Sequence, residues 1–228
     1  ALSSLAGEQI LLSSAGARKI ERKEDAPQLW NVLEEMTIAS GLGSMPALHI
    51  IENDAPNAFA VGRSPSRAAV AVTSGLLKRL NRDELQGVIA HEISHIKNLD
   101  VRFLTLASVM LGVTIILSDI FLRSLGYGGA GRSRSRDKGQ GQVIILAIAV
   151  LVAILAPICA RILYFACSRR REYLADASAA RFTRYPEGLA SALDKSSQTG
   201  GGFQDANRAI APLFIVNPFQ GAEASSIF

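Results

Sequence analysis

Three histidines occur in 228 residues, and two of them, His91 and His95, bracket Glu92 in the run H-E-I-S-H. On a helix, positions i and i+4 stack on one face, so both imidazoles can reach a single Zn²⁺. Glu92 projects beside them, where a carboxylate can take a proton from an attacking water and return it to a leaving amine. A hydrolytic zinc site keeps three protein ligands and an open fourth position. The extended pattern HExxHxxGxxH is excluded, because Asn98 stands at its Gly position and Val101 at its last His position. No histidine follows, so the next choice is a carboxylate on a second helix. The first glutamate after the motif is Glu172, in R-R-R-E-Y-L-A-D. Asp176 lies one turn further on the same face, placed to accept from a ligand imidazole and fix its ring. Asp100 is the rival third ligand. It lies about 140° around the helix from His95 and therefore points away from the zinc, which reads it as a capping or packing residue.

These residues need elements that bring them together. Hydrophobic residues make up 49% of the chain and charged residues 19%, and the mean hydropathy is +0.23. That balance excludes a disordered chain and a coiled coil and is unusual for a water-soluble globule. Two cysteines exclude a disulfide scaffold, and a net charge of +4 is too mild for a dedicated nucleic-acid binder. The apolar excess sits in Phe103 to Leu122, broken by Asp119, and in Val143 to Ala160, which is uncharged and continues to Cys167. About 20 such residues cross a hydrocarbon core of about 30 Å. Residues 123–141, rich in Gly, Ser and Arg, read as a solvated loop. Spans near 103–122 and 143–166 then form a transmembrane hairpin whose outer ends lie on one side, returning Glu172 to His95 from 77 positions away. Pro157 is expected to kink the second span. Cys159 and Cys167 lie about 12 Å apart along one helix and cannot bridge. Asp119 reads either as functional or as reaching the interface. No signal peptide is evident.

The polar remainder reads as α+β. Pro27 to Ser40 places Leu29, Val32, Leu33 and Met36 on one helical face, and Gly41 and Gly43 end it. Pro46 to Ile51 and Ala68 to Thr73 read as strands. Thr73 or Ser74 caps a short helix, and Asn81 with Glu84 forms a capping box that opens the HEISH helix. Further helices are expected over 168–183 and 186–195. His49 falls in a strand.

Four segments in this order resemble the HtpX-like membrane zinc metallopeptidases, a family that includes the CAAX prenyl endopeptidases. They are D-A-P-N-A-F-A-V-G over 54–62, V-T-S-G-L-L over 72–77, H-E-I-S-H-I-K-N-L-D over 91–100 and R-E-Y-L-A-D over 171–176. The resemblance implies a mainly helical gluzincin-type domain with a small edge-strand sheet, interrupted by the hairpin. It implies His91, His95 and Glu172 as ligands of one Zn²⁺ and Glu92 as general base. It also implies that Asn57, Ala58, Phe59 and Ala60 form an edge strand that pairs with an extended substrate, since such an edge offers free N–H and C=O groups. The family's N-terminal membrane hairpin and a C-terminal segment with a His-Pro pair and an arginine have no counterpart, so both ends read as truncated, and His49 offers no substitute donor.

The expected organisation is an N-terminal peptidase part over 1–101, the hairpin over 102–167 and a C-terminal part over 168–228. The expected function is a membrane-bound zinc endopeptidase acting on polypeptides, membrane proteins above all, in quality control of damaged or misfolded chains. The family implies a bacterial inner membrane with a cytoplasmic catalytic side. Charge does not assign the sides, because Arg123, Arg132, Arg134, Arg136 and Lys138 on the loop oppose Lys97, Arg102, Arg169, Arg170 and Arg171 at the zinc end. The rival reading is a zinc-stabilised membrane scaffold or chaperone, against which an intact Glu92 argues. Two spans almost free of charge argue against a transporter or channel.

Overall fold

A computed structural model describes residues 6–128 and 169–197 and parts of 147–162. The order is α1 (Ala6–Ser14), β1 (Ala17–Ile20), α2 (Pro27–Ser40), β2 (Ala47–Ile51), β3 (Ala58–Gly62), β4 (Ala68–Thr73), α3 (Ser74–Arg79), α4 (Arg82–Lys97) and α5 (Asp100–Gly128). Then follow an apolar helix α6 (Ala147–Ala156), α7 (Arg169–Thr183) and α8 (Pro186–Ser197). The α+β expectation holds among these residues.

The expected elements form for identifiable reasons. Pro27 opens α2, where its missing N–H costs nothing, and Gly41 closes it at φ 70°, a left-handed conformation that suits glycine. Thr73 caps α3, its Oγ1 accepting the Leu76 N–H at 3.2 Å. The capping box is complete: Asn81 Oδ1 accepts from Glu84 N–H at 2.9 Å, and Glu84 Oε2 accepts from Asn81 N–H at 2.8 Å.

The sheet order is β1-β2-β4-β3, with β2 and β4 parallel and the outer pairs antiparallel. Side chains alternate across it. Ala58 and Ala60 of β3 join Val70 and Val72 in a core shared with Leu33 of α2, Ile89 and Ile93 of α4 and Leu189 of α8. Phe59 and Val61 point to the opposite face, where Leu11 and Leu12 of α1 and the first turns of α5, Leu104 and Val109, cover them. The sheet is therefore sandwiched, and β3 is its edge nearest both α4 and α5.

α5 departs from expectation. It begins at Asp100 and continues through Gly128, so residues 123–128, expected to be loop, are helical. Extending a formed helix by a turn needs no new nucleus, even through a Gly-containing stretch. The window Asp100–Leu117, mean hydropathy 1.8, is long and apolar enough to cross a membrane. The described part of α6, Ala147–Ala156, is apolar. The expectations for Pro157, Cys159, Cys167, residues 129–141 and 198–228, and the Asp119 side chain, lie outside the described residues.

Candidate metal centre

α4 carries His91 and His95 on one face, both buried beneath α7. Their Nε2 atoms lie 3.1 Å apart. Glu172, in the first turn of α7, places Oε2 3.6 Å from His91 Nε2 and 3.8 Å from His95 Nε2. Ligand atoms about 2.0–2.1 Å from a tetrahedral Zn²⁺ stand about 3.3 Å from one another. The three atoms bracket that spacing, and two imidazoles with one carboxylate form a donor set suited to zinc.

Each imidazole is held from behind. His91 Nδ1–H donates to Asp176 Oδ1 at 3.0 Å, the contact expected of Asp176. His95 Nδ1–H donates to Asp100 Oδ2 at 3.2 Å. These bonds turn both Nε2 lone pairs inward. The role of Asp100 corrects the reading of it as a capping or packing residue. It is not in the ligand cluster, but neither does it point away. α4 ends at Lys97, Leu99 adopts φ 63°, and the chain restarts at Asp100, so the angle for a continuous helix does not apply. Asp100 Oδ1 also accepts from Arg171 Nη1 at 3.1 Å, and the Arg171 guanidinium lies 4.9 Å from the Phe103 ring centroid. The residue before Glu172 is thus tied to the residue that orients His95. Sequence reasoning missed this bridge, because it depends on the break at Leu99.

The field around the imidazoles is negative. Burial opposes charge on both, but Asp176, Glu172 and Glu92 outweigh it at His91 and push its pKa up to about 9. Asp100, Glu172 and Glu92 push His95 up to about 10. Burial raises the Glu172 carboxyl, yet the two imidazoles hold it well below the ordinary carboxylate range. A pocket that draws protons onto histidines in this way also attracts a cation. Glu92, 4% exposed, is pushed up by burial, partly offset by both imidazoles and by the Ala60 N–H. A base is most effective when its pKa approaches the working pH.

The strand expected over Asn57 to Ala60 forms as a sheet edge that starts at Ala58 and runs to Gly62. β3 is the sheet edge, but its outward N–H groups are occupied. Ala58 N–H donates to Asn57 Oδ1 at 2.8 Å, Ala60 N–H faces Glu92, and Gly62 N–H donates to Thr105 Oγ1 at 3.0 Å. Asn57 precedes the strand and is buried, bonded to Thr73 through both its N–H and its C=O. Phe59 packs on the far face, so its side chain does not reach the metal cluster. His49 lies on β2, separated from β3 by β4.

Comparison with known proteins agrees with this geometry. Residues 23–216 match the model of peptidase family M48. The chain is 49% identical over 220 residues to a protease HtpX homolog of Dictyoglomus turgidum, covering 96% of this chain and 70% of that protein. It is 46% identical over 216 residues to one of Thermoanaerobacter pseudethanolicus, covering 95% and 72%. It is 43% identical over 222 residues to one of Listeria monocytogenes, covering 95% and 73%.

Proposed function

The chain belongs to peptidase family M48, and from that premise we propose a membrane-bound zinc endopeptidase in which His91, His95 and Glu172 hold one ion. When bound, Zn²⁺ supplies a Lewis acid that polarises the scissile carbonyl and acidifies water. Glu92 takes the proton of the attacking water and delivers it to the leaving amine. Asp176 and Asp100 keep the imidazole Nε2 atoms aimed inward. An extended substrate lies along β3, exchanging its own carbonyl for Asn57 Oδ1 at the Ala58 N–H. The observation that carries this reading is the convergence of two Nε2 atoms and one carboxylate oxygen within 4.8 Å, with Glu92 buried beside them. A zinc-stabilised scaffold has no use for that buried base.

The finer reading adds a setting. Residues 1–101 and 168–228 form one peptidase domain, and 102–167 cross the bilayer as a hairpin. Support comes from the apolarity of α5 and from the meeting of α4 with α7 across the interval. The site stands at the root of α5, which favours polypeptide substrates at the membrane surface, damaged or misfolded membrane proteins among them. The HtpX resemblance favours a bacterial inner membrane with the catalytic side cytoplasmic. The test is Glu92→Gln in the full chain. Cleavage of an unfolded polypeptide should fall by several orders of magnitude while one zinc per chain is retained. Undiminished cleavage would overturn the mechanism.

A further inference from the structure

Away from the metal cluster, the β3–β4 turn and the first turns of α5 border an open surface cavity of about 580 Å³ lined by Arg63, Ser64, Arg67, Arg102, Phe103 and Leu106. The zinc chemistry uses none of these residues. The three guanidinium groups meet one nearby carboxylate among the described residues, Glu8, whose oxygen is 3.9 Å from Arg63. The cavity therefore keeps an excess of positive charge.

Its apolar wall points to the kind of anion. Phe103 and Leu106 are about half exposed, and Val113, Ile116 and Ile120 continue the same outward stripe along α5. Arg102 lies in the first turn of the segment long and apolar enough to cross a membrane. An arginine at that level sits where phosphate headgroups lie, and the stripe beyond it lies where acyl chains lie. Ser64 adds a hydroxyl donor beside the guanidinium forks, which match phosphate geometry.

We propose that this cavity binds the phosphate headgroup of an anionic phospholipid, with Arg63, Arg67 and Arg102 on the phosphate and an acyl chain along Phe103 and Leu106. The proposal rests on the membrane-spanning reading of α5. A lipid seated there bridges the end of β3 and the base of α5, fixing the depth of the peptidase domain at the bilayer surface. An acidic peptide would find the same charge but would leave the exposed apolar stripe uncovered.

The test uses the full chain with zinc, purified, delipidated and reconstituted into vesicles with equal phosphatidylcholine and phosphatidylglycerol. Lipids retained on extraction are counted by native mass spectrometry. A basic residue at the headgroup level gives about a fivefold preference for anionic lipid. The wild-type chain should retain phosphatidylglycerol at least tenfold over phosphatidylcholine. The triple variant Arg63→Gln, Arg67→Gln, Arg102→Gln should lose most of that preference. Arg169→Gln with Arg170→Gln, exposed bases at the start of α7 and outside the cavity, should keep it. Retention without preference, or loss of preference only in the second variant, overturns the proposal and leaves the membrane reading intact. Release of the lipid by excess inorganic phosphate or by a soluble acidic peptide would assign the cavity to those ligands and overturn it as a lipid site. A chain that leaves the vesicles on an alkaline wash overturns the membrane reading and the proposal together.

Discussion

Glu172, Asp176 and Asp100 surround two imidazoles, and each has a separable consequence. Glu172 supplies the third inward-facing ligand atom, so Glu172→Ala should abolish stoichiometric zinc in purified protein. Full occupancy there would show that the third ligand lies elsewhere. Asp176 and Asp100 act through Nδ1, and removal of such a partner usually weakens metal affinity by about 10–100-fold. Asp176→Ala should show that loss in chelator competition. Asp100→Asn should show it as well, because His95 and Arg171 donate to different carboxylate oxygens of Asp100, and asparagine puts an NH₂ donor in place of one of them. A Co²⁺-substituted protein should also change its visible spectrum in both variants, a signature that simple loss of stability would not give. Asp176 was readable from the sequence because i and i+4 share a helix face. Asp100 was not, because its position depends on the positive φ of Leu99, and nothing in the sequence marks that leucine as a break.

The helices that hold these residues are fastened at α4. Its N-terminus meets α8 where Glu84 accepts from Lys195 Nζ at 2.8 Å and from Ser191 Oγ at 2.5 Å, beside the capping bond to Asn81. Burial pushes the Glu84 carboxyl up, but Lys195, Ser191 and the Asn81 N–H outweigh it and hold its pKa below the ordinary value. A carboxyl lowered by folding adds stability above its unfolded pKa, about 4.3, and loses it as pH falls through the lower folded value. Thermal unfolding followed from pH 7 downward should therefore show Glu84→Gln less stable than wild type near neutrality, with the gap closing below about pH 4.3. A gap independent of pH would assign the effect to shape alone. The crossing itself is set by Gly87, where an added Cβ would come within 2.6 Å of Leu189 N and 2.8 Å of its Cα. Gly87→Ala gains up to about 1 kcal/mol of helix propensity, yet overpacking typically costs about 1–3 kcal/mol. A lowered melting temperature is expected, and a raised one would mean that α8 is free to move away. The capping box could be read from Asn81 and Glu84 because it is local. The need for glycine at 87 could not, since it comes from a helix about 100 residues later in the chain. β1 escaped notice for a similar reason, since Ala-Arg-Lys-Ile shows no hydrophobic alternation and is a strand only because β2 pairs with it.

Across the whole molecule, the apolar excess of the composition resolves into α5 and α6, which separate the two parts of one metal centre. His95 and Glu172 come within 3.8 Å across 77 positions of sequence. A chain that leaves α4 into a bilayer and still delivers Glu172 beside His95 must cross an even number of times. On the proposed hairpin of two crossings, a thiol at position 133 is expected to label from the face opposite to one at Gln28, which is exposed on the peptidase domain. Arginines occur both within 123–141 and at the start of α7, so charge is a poor guide to orientation and the geometry needs a direct measurement. In a chain with Cys159 and Cys167 replaced by alanine, Gln28→Cys and Ser133→Cys give single thiols. An impermeant maleimide applied to inner-membrane vesicles of known orientation should label Gln28→Cys only from the cytoplasmic face and Ser133→Cys only from the other. Labelling of both from one face would remove the hairpin and leave α5 as an apolar helix lying against the bilayer or a partner. The reverse pattern would keep the hairpin and move the peptidase domain to the opposite side, where substrates would have to arrive after export. In either case the even-crossing constraint stands, because it follows from His95 and Glu172 serving one ion.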